Sequence, residues 1–155
     1  MSAKTLDETL STAIAERIKS KARAPFDNAY KAALATQEAI YVQGFLVVAS
    51  RPNKPLEHAW VEVGDRIIDP NLPHLKKNPQ DLHYFAAQQL TVKQLKAIIE
   101  ESQEDYPDDD PLPVYGKMPY EYYGDVMLGG REYQAAFEAA AQLCRQLHQQ
   151  LADRN

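Results

Sequence analysis

Apolar residues recur early in the chain at steps of three and four. Leu6, Leu10, Ala13, Ile14 and Ile18 fall on one face, with polar residues between them. That spacing predicts an amphipathic helix over residues 5 to about 22, and Thr5 followed by Glu8 has the form of a capping box at its start. Pro25 breaks the pattern and suits the first position of a second helix, whose Phe26, Ala29, Tyr30, Ala33 and Leu34 again share a face. Residues 39–50, AIYVQGFLVVAS, are rich in β-branched and aromatic side chains and predict a strand, with Gly44 marking a bulge or a close approach of another backbone. After a Pro-bounded loop at 52–55, residues 58–63 and 66–68 predict two short strands joined at Gly64-Asp65. Residues 71–79 read as irregular, 80–88 as a helix, and Thr91 as the cap of a further helix to about residue 101. Residues 101–125 carry acids, prolines and five tyrosines and predict a long ordered loop or a partner-facing arm. The last helix follows Gly129-Gly130, and its Tyr133, Phe137, Ala140, Cys144, Leu147 and Leu151 form a heptad-like seam.

Strands gathered in one block between helices favour an α+β fold, with helices packed on a small antiparallel sheet, over a doubly wound parallel one. At 155 residues and 45% hydrophobic content the chain suits one domain with a real core. Within it, residues 1–24 form an N-terminal helix, 25–70 a helix-plus-sheet core, 71–130 helices and the acidic tyrosine-rich arm, and 131–155 the C-terminal helix. The net charge is -5, from 22 acidic and 17 basic residues, and the one basic stretch is Arg17, Lys19, Lys21 and Arg23. Such a surface cannot neutralise a phosphate backbone, so no nucleic-acid partner is expected. The absence of an apolar run of about 18 residues and of a signal-peptide core predicts a cytoplasmic protein with no membrane partner. A single cysteine, Cys144, excludes an internal disulfide and a zinc-finger cage.

The candidate chemistry lies in PLEHAWVEVGDRIIDP, residues 55–70, where His58 and Asp69 stand at the two ends of the predicted hairpin. A two-residue turn at Gly64-Asp65 makes His58 face Asn71, with Asp69 its diagonal neighbour on the same face, whereas a turn one residue earlier brings His58 and Asp69 directly opposite and a bulge changes the pairing. A histidine base needs such an acid to fix its tautomer, and a nucleophile within hydrogen-bond reach. Trp60 shares the strand face of His58 and gives it an apolar wall. A metal site from His58, Asp69, His74 and His83 has irregular spacing, and the Asp108-Asp109-Asp110 run lacks the alternating ligands and glycine of an EF-hand loop. No metal and no cofactor are therefore expected.

Four segments carry a larger resemblance: PFDNA at 25–29, YVQGF at 41–45, EHAWV at 57–61 and GDRIIDP at 64–70. Together they resemble the core of papain-like and transglutaminase-like cysteine-enzyme domains of the small bacterial and phage type, over under a third of the chain. The resemblance implies a cysteine at the start of the central helix, where backbone N–H groups lower a thiol pKa and hold an oxyanion. His58 matches the family histidine and Asp69 the acid that orients it, with Asn28 and Trp60 lining the pocket. Pro25 stands where the family has its cysteine. Proline brings no nucleophilic atom and no N–H, yet it is well tolerated at a helix start.

No other residue replaces it convincingly. Cys144 sits on the apolar seam of the last helix, with His148 one turn further on and no acid or glycine motif around them; Ser20, Ser50 and Thr36 have no motif either. The resemblance therefore implies a pseudoenzyme, with His58 and Asp69 a vestigial pair, acting as a binding or accessory protein for an unknown protein or small molecule. Tyr115, Tyr120, Tyr122 and Tyr123 form the expected partner surface, with the adjacent acids favouring a basic partner, or else fold back over the sheet as a lid that closes a small core. The competing expectations are a hydrolase or acyltransferase with an unrecognised nucleophile or metal-bound water, and a structural subunit that oligomerises through the C-terminal helix.

Overall fold

The computed structural model describes residues 4–123 and 126–154. The Gly124-Asp125 end of the tyrosine-rich segment lies outside the described residues. In chain order the elements are β1 (Thr5–Leu6), α1 (Glu8–Ile18), α2 (Pro25–Ala35), β2 (Ile40–Val48), β3 (Leu56–Val63), β4 (Arg66–Ile68), α3 (Leu72–Leu75), a 3-10 turn (Pro79–Asp81), β5 (Leu82–Thr91), α4 (Val92–Asp105), β6 (Tyr120–Tyr123), β7 (Val126–Gly129) and α5 (Gly130–Asp153). A five-stranded sheet has the order β1-β4-β3-β2-β5, and β6 pairs with β7 separately. The α+β class is as expected, but the sheet is mixed rather than wholly antiparallel, because β1 pairs parallel with β4.

The chain forms two compact units, each drawn from three separate stretches. The first comprises Met1–Gln43, Ala59–Lys76 and Gln89–Val114, the second Gly44–His58, Lys77–Gln88 and Tyr115–Asn155.

In the first unit, α1 starts later than the sequence predicts. Thr5 is in β1 opposite Arg66, so Asp7 caps the helix instead, its Oδ1 accepting from the Leu10 N–H at 2.9 Å. Lys19 ends α1 in the left-handed region at φ 56°, its N–H donating to the Ala15 and Glu16 carbonyls. Pro25 occupies the start of α2, as its spacing predicts. The buried face of α2 is Asn28, Ala29, Ala32 and Ala33, and three methyl groups allow a close approach to the β3 and β4 residues Ala59, Val61 and Ile68 in the same core. Leu95 and Ile99 of α4 complete that core, and α4 begins with a full capping box between Thr91 and Gln94.

In the second unit, the heptad-like seam of α5 is spent inside the molecule. Tyr133, Ala140 and Cys144 are buried with Phe45, Val47, Ala87 and Leu128, while Phe137 and Leu147 pack on them; only Leu151 of that seam is exposed. Gly44 is a close approach rather than a bulge: a Cβ there would lie 1.9 Å from the Phe85 carbonyl oxygen. The predicted helix at 80–88 is strand β5. Its Ala and Gln residues are good helix formers, but pairing beside β2 and the burial of Ala87 outweigh a local preference of a few tenths of a kcal/mol per residue, on the order of ~0.5 at most.

Candidate functional site

Of the registers open to it, the hairpin that carries the candidate chemistry has the one set by the two-residue turn. Val61 pairs with Ile68, Glu62 with Ile67 and Val63 with Arg66, and Gly64 adopts φ 61° in the turn, a conformation that favours glycine. His58, at 4% exposure, is buried in the second unit, with the Tyr84 ring 6.2 Å away and tilted by 48°. Asp69 is fully buried in the first unit.

Around Asp69 the first unit builds a continuous chain of polar contacts. Asp69 Oδ1 accepts from the Asn71 backbone N–H and from Asn71 Nδ2, both at 2.8 Å. Asn71 Nδ2 also donates to the Ala59 carbonyl at 3.1 Å, and Asn71 Oδ1 accepts from Asn28 Nδ2 at 2.8 Å. Asn28 then grips Lys21 from both sides: its Oδ1 accepts from the Lys21 N–H at 3.0 Å, and its Nδ2 donates to the Lys21 carbonyl at 2.7 Å. The Asp69 N–H donates to Ser11 Oγ of α1 at 2.9 Å. Asn28 was expected to line a pocket, but both its amide hydrogens are engaged within the fold. The network ties α1, the segment before α2, the first turn of α2, the end of β4 and β3 into one frame, and it sets where Pro25 stands.

Ser11 and Glu62 were not singled out by sequence reasoning, and Asn71 appeared only as the residue facing His58. Glu62, nearly inaccessible at 3%, accepts from the Trp60 indole N–H at 3.0 Å and from Gln89 Nε2 at 3.2 Å, and pairs with Lys4. Trp60, expected as a pocket wall, is fully buried and held by this carboxylate. A carboxylate two residues from a tryptophan on one strand face was the available signal. Gln43 likewise clips Val114, donating to its carbonyl at 2.6 Å and accepting from its N–H at 2.8 Å.

Two alternative nucleophiles have defined environments. Ser20 lies just beyond α1, and His74 Nε2 is 3.0 Å from both the Ser20 Oγ and the Ser20 carbonyl oxygen. A bare Nε2 would set its lone pair against the carbonyl oxygen, so the arrangement favours Nε2–H donating to Ser20, which is the wrong tautomer for accepting the hydroxyl proton. Cys144, at 4% exposure, is in the core of the second unit; burial raises its thiol pKa above the ordinary 9.0, an effect Arg145 partly offsets. His148, its candidate base, is exposed. Among the described residues no group of three or more His, Cys, Asp or Glu side chains is arranged to hold a metal ion, and no helix is long and apolar enough to cross a membrane.

The tyrosine-rich arm is partly a hairpin, with Tyr120 paired to Gly129 and Tyr123 to Val126. Alternation along β6 divides its rings. Tyr120 and Tyr122 are 47% and 72% exposed, whereas Tyr123 stacks on Phe137 at 5.1 Å and 24°. Burial, reinforced by Glu121 and Glu138, raises the Tyr123 pKa above 10.0. Tyr115 is also exposed.

No protein-family model, curated protein or solved structure matches the chain.

Proposed function

We propose that the chain is a papain-like or transglutaminase-like domain that lacks the catalytic cysteine and acts by binding, as an accessory protein. The observation that carries this reading is Pro25 at the first position of α2, the helix start that the Asn28-Asn71-Asp69 network holds in place. Long-range hydrogen bonds within the first unit hold this helix start, and proline puts no nucleophilic atom there, which supports the reading. The raised thiol pKa of Cys144 and the donor role of His74 toward Ser20 support the same conclusion, because neither supplies an activated nucleophile. The exposed rings of Tyr115, Tyr120 and Tyr122 are the docking surface of this reading, for a protein partner with a basic patch.

Turnover of activated thioesters and glutamine amides by the whole chain tests the proposal. The expected rate equals that of the His58→Ala and Ser20→Ala variants, at the level of buffer. A turnover that either variant abolishes overturns the non-catalytic reading in favour of a hydrolase or acyltransferase.

A further inference from the structure

The apolar stripe of α1 is only partly used by the core. Ile14 is buried, but Leu10 remains 40% exposed and Ala13 is exposed as well. With Ile14, Ala35, Val63 and Ile68 they line a groove of the first unit of about 710 Å³, within the range of about 300–1,000 Å³ typical of small-ligand sites. Every apolar lining side chain is aliphatic, so the surface suits a flexible hydrocarbon rather than an aromatic ring.

The charges at its edge have one sign. In a chain of net charge -5, no acidic side chain lines this groove among the described residues, and its charged lining residues are Arg17 and Arg66. Arg66 Nη1 donates to Asp7 Oδ2 at 3.2 Å and is therefore already compensated. The Arg17 side chain has no hydrogen bond or ion pair among the described residues. A free guanidinium beside an aliphatic trough matches a ligand with an apolar body and a planar anionic head, which the guanidinium fork receives through two parallel hydrogen bonds.

We propose that this groove binds an aliphatic carboxylate, with the hydrocarbon chain along Leu10, Ile14, Val63 and Ile68 and the carboxylate on Arg17. Thr36 and Gln37, also in the lining, are its uncharged polar residues. The site is separate from the Pro25 helix start, and the proposal does not rest on the cysteine-less reading.

Amide chemical-shift titration of the full chain with sodium decanoate below its micelle concentration tests it, with decanol and decylamine as matched probes. The expected result is saturable decanoate binding with shifts concentrated on α1 and on residues 63–68. Arg17→Gln weakens it by about tenfold or more, the value of a charge-assisted pair, and decanol binds more weakly than decanoate. Ala13→Trp fills the groove from an exposed position and abolishes binding while the fold is retained. Decylamine binding as tightly as decanoate, or Arg17→Gln binding unchanged, overturns the proposal. So does self-association that Ala13→Trp abolishes in a chain that takes up no decanoate, since a second copy would then be the occupant.

Discussion

Replacing Asn28 by alanine removes the link between the start of α2 and the Asp69 turn. The buried Asn71 Oδ1 loses its Asn28 donor, at 2.8 Å, and both Lys21 backbone groups lose partners at 3.0 and 2.7 Å. An orphaned buried acceptor costs about 1–3 kcal/mol, and each half-exposed bond to Lys21, where water can substitute, about 0.5–1 kcal/mol. The expected loss is therefore about 3 kcal/mol, a large part of the roughly 5–15 kcal/mol that holds a domain together. In urea unfolding, with a slope of about 2 kcal/mol per molar, the midpoint falls by about 1.5 M. The neighbouring Asp27→Ala is the control: its pair with Lys31 at 3.1 Å is exposed and spaced i,i+4, so it costs less than about 1 kcal/mol. A double-mutant cycle of Asn28→Ala and Asn71→Ala shows a coupling of about 1 kcal/mol or more. An Asn28→Ala cost no larger than that of Asp27→Ala would refute the claim that this network sets the helix start.

Gly44→Ala forces a methyl against the Phe85 carbonyl and costs about 3 kcal/mol or more, whereas Gly64→Ala, in open space at φ 61°, costs only the left-handed penalty of about 1–2 kcal/mol; thermal unfolding in the reverse order contradicts both assignments. Cys144 alkylation by iodoacetamide in the native protein follows a pH profile with its midpoint above 9.0. Because the folded thiol pKa is raised, its contribution to stability is complete below the unfolded pKa and is lost as pH rises through the folded value; an alkylation midpoint below 9.0 would contradict burial as the cause. Tyr123→Ala loses the stack on Phe137 and costs about 2 kcal/mol or more, while Tyr122→Ala on the open face changes stability by less than about 0.5 kcal/mol; equal costs would place both rings in the same environment.

What the sequence makes legible here is what adjacent residues decide. The hairpin register follows from the Gly64-Asp65 turn, α2 from Pro25, and the start of α4 from the Thr91 and Gln94 cap, each settled within a few residues. Strand β5 was hidden because LHYFAAQQLT has no strong periodicity, and its identity depends on pairing with distant residues. The two-residue β1 displaced the predicted cap from Thr5 to Asp7 for the same reason. The candidate residues Pro25, His58 and Asp69 stand out in the sequence as a pattern. The contact between Asn28 and Asn71 spans 43 positions, and nothing local to either residue announces it. The stripe on α1 was also legible, but not that Leu10 and Ala13 face an open groove rather than the core.

The proposed function holds that Pro25 stands where the resembled cysteine enzymes have their nucleophile, and the thiol pKa of a Pro25→Cys variant tests that proposal most directly. Measured by the pH dependence of alkylation against the Cys144→Ala background, the account predicts a value below about 7, as for thiols activated at helix starts. On the proposed function, adding His58→Ala raises it by about one unit or more, because the proposed partner of the thiol is lost. The same thiol pKa with and without His58 would contradict the account.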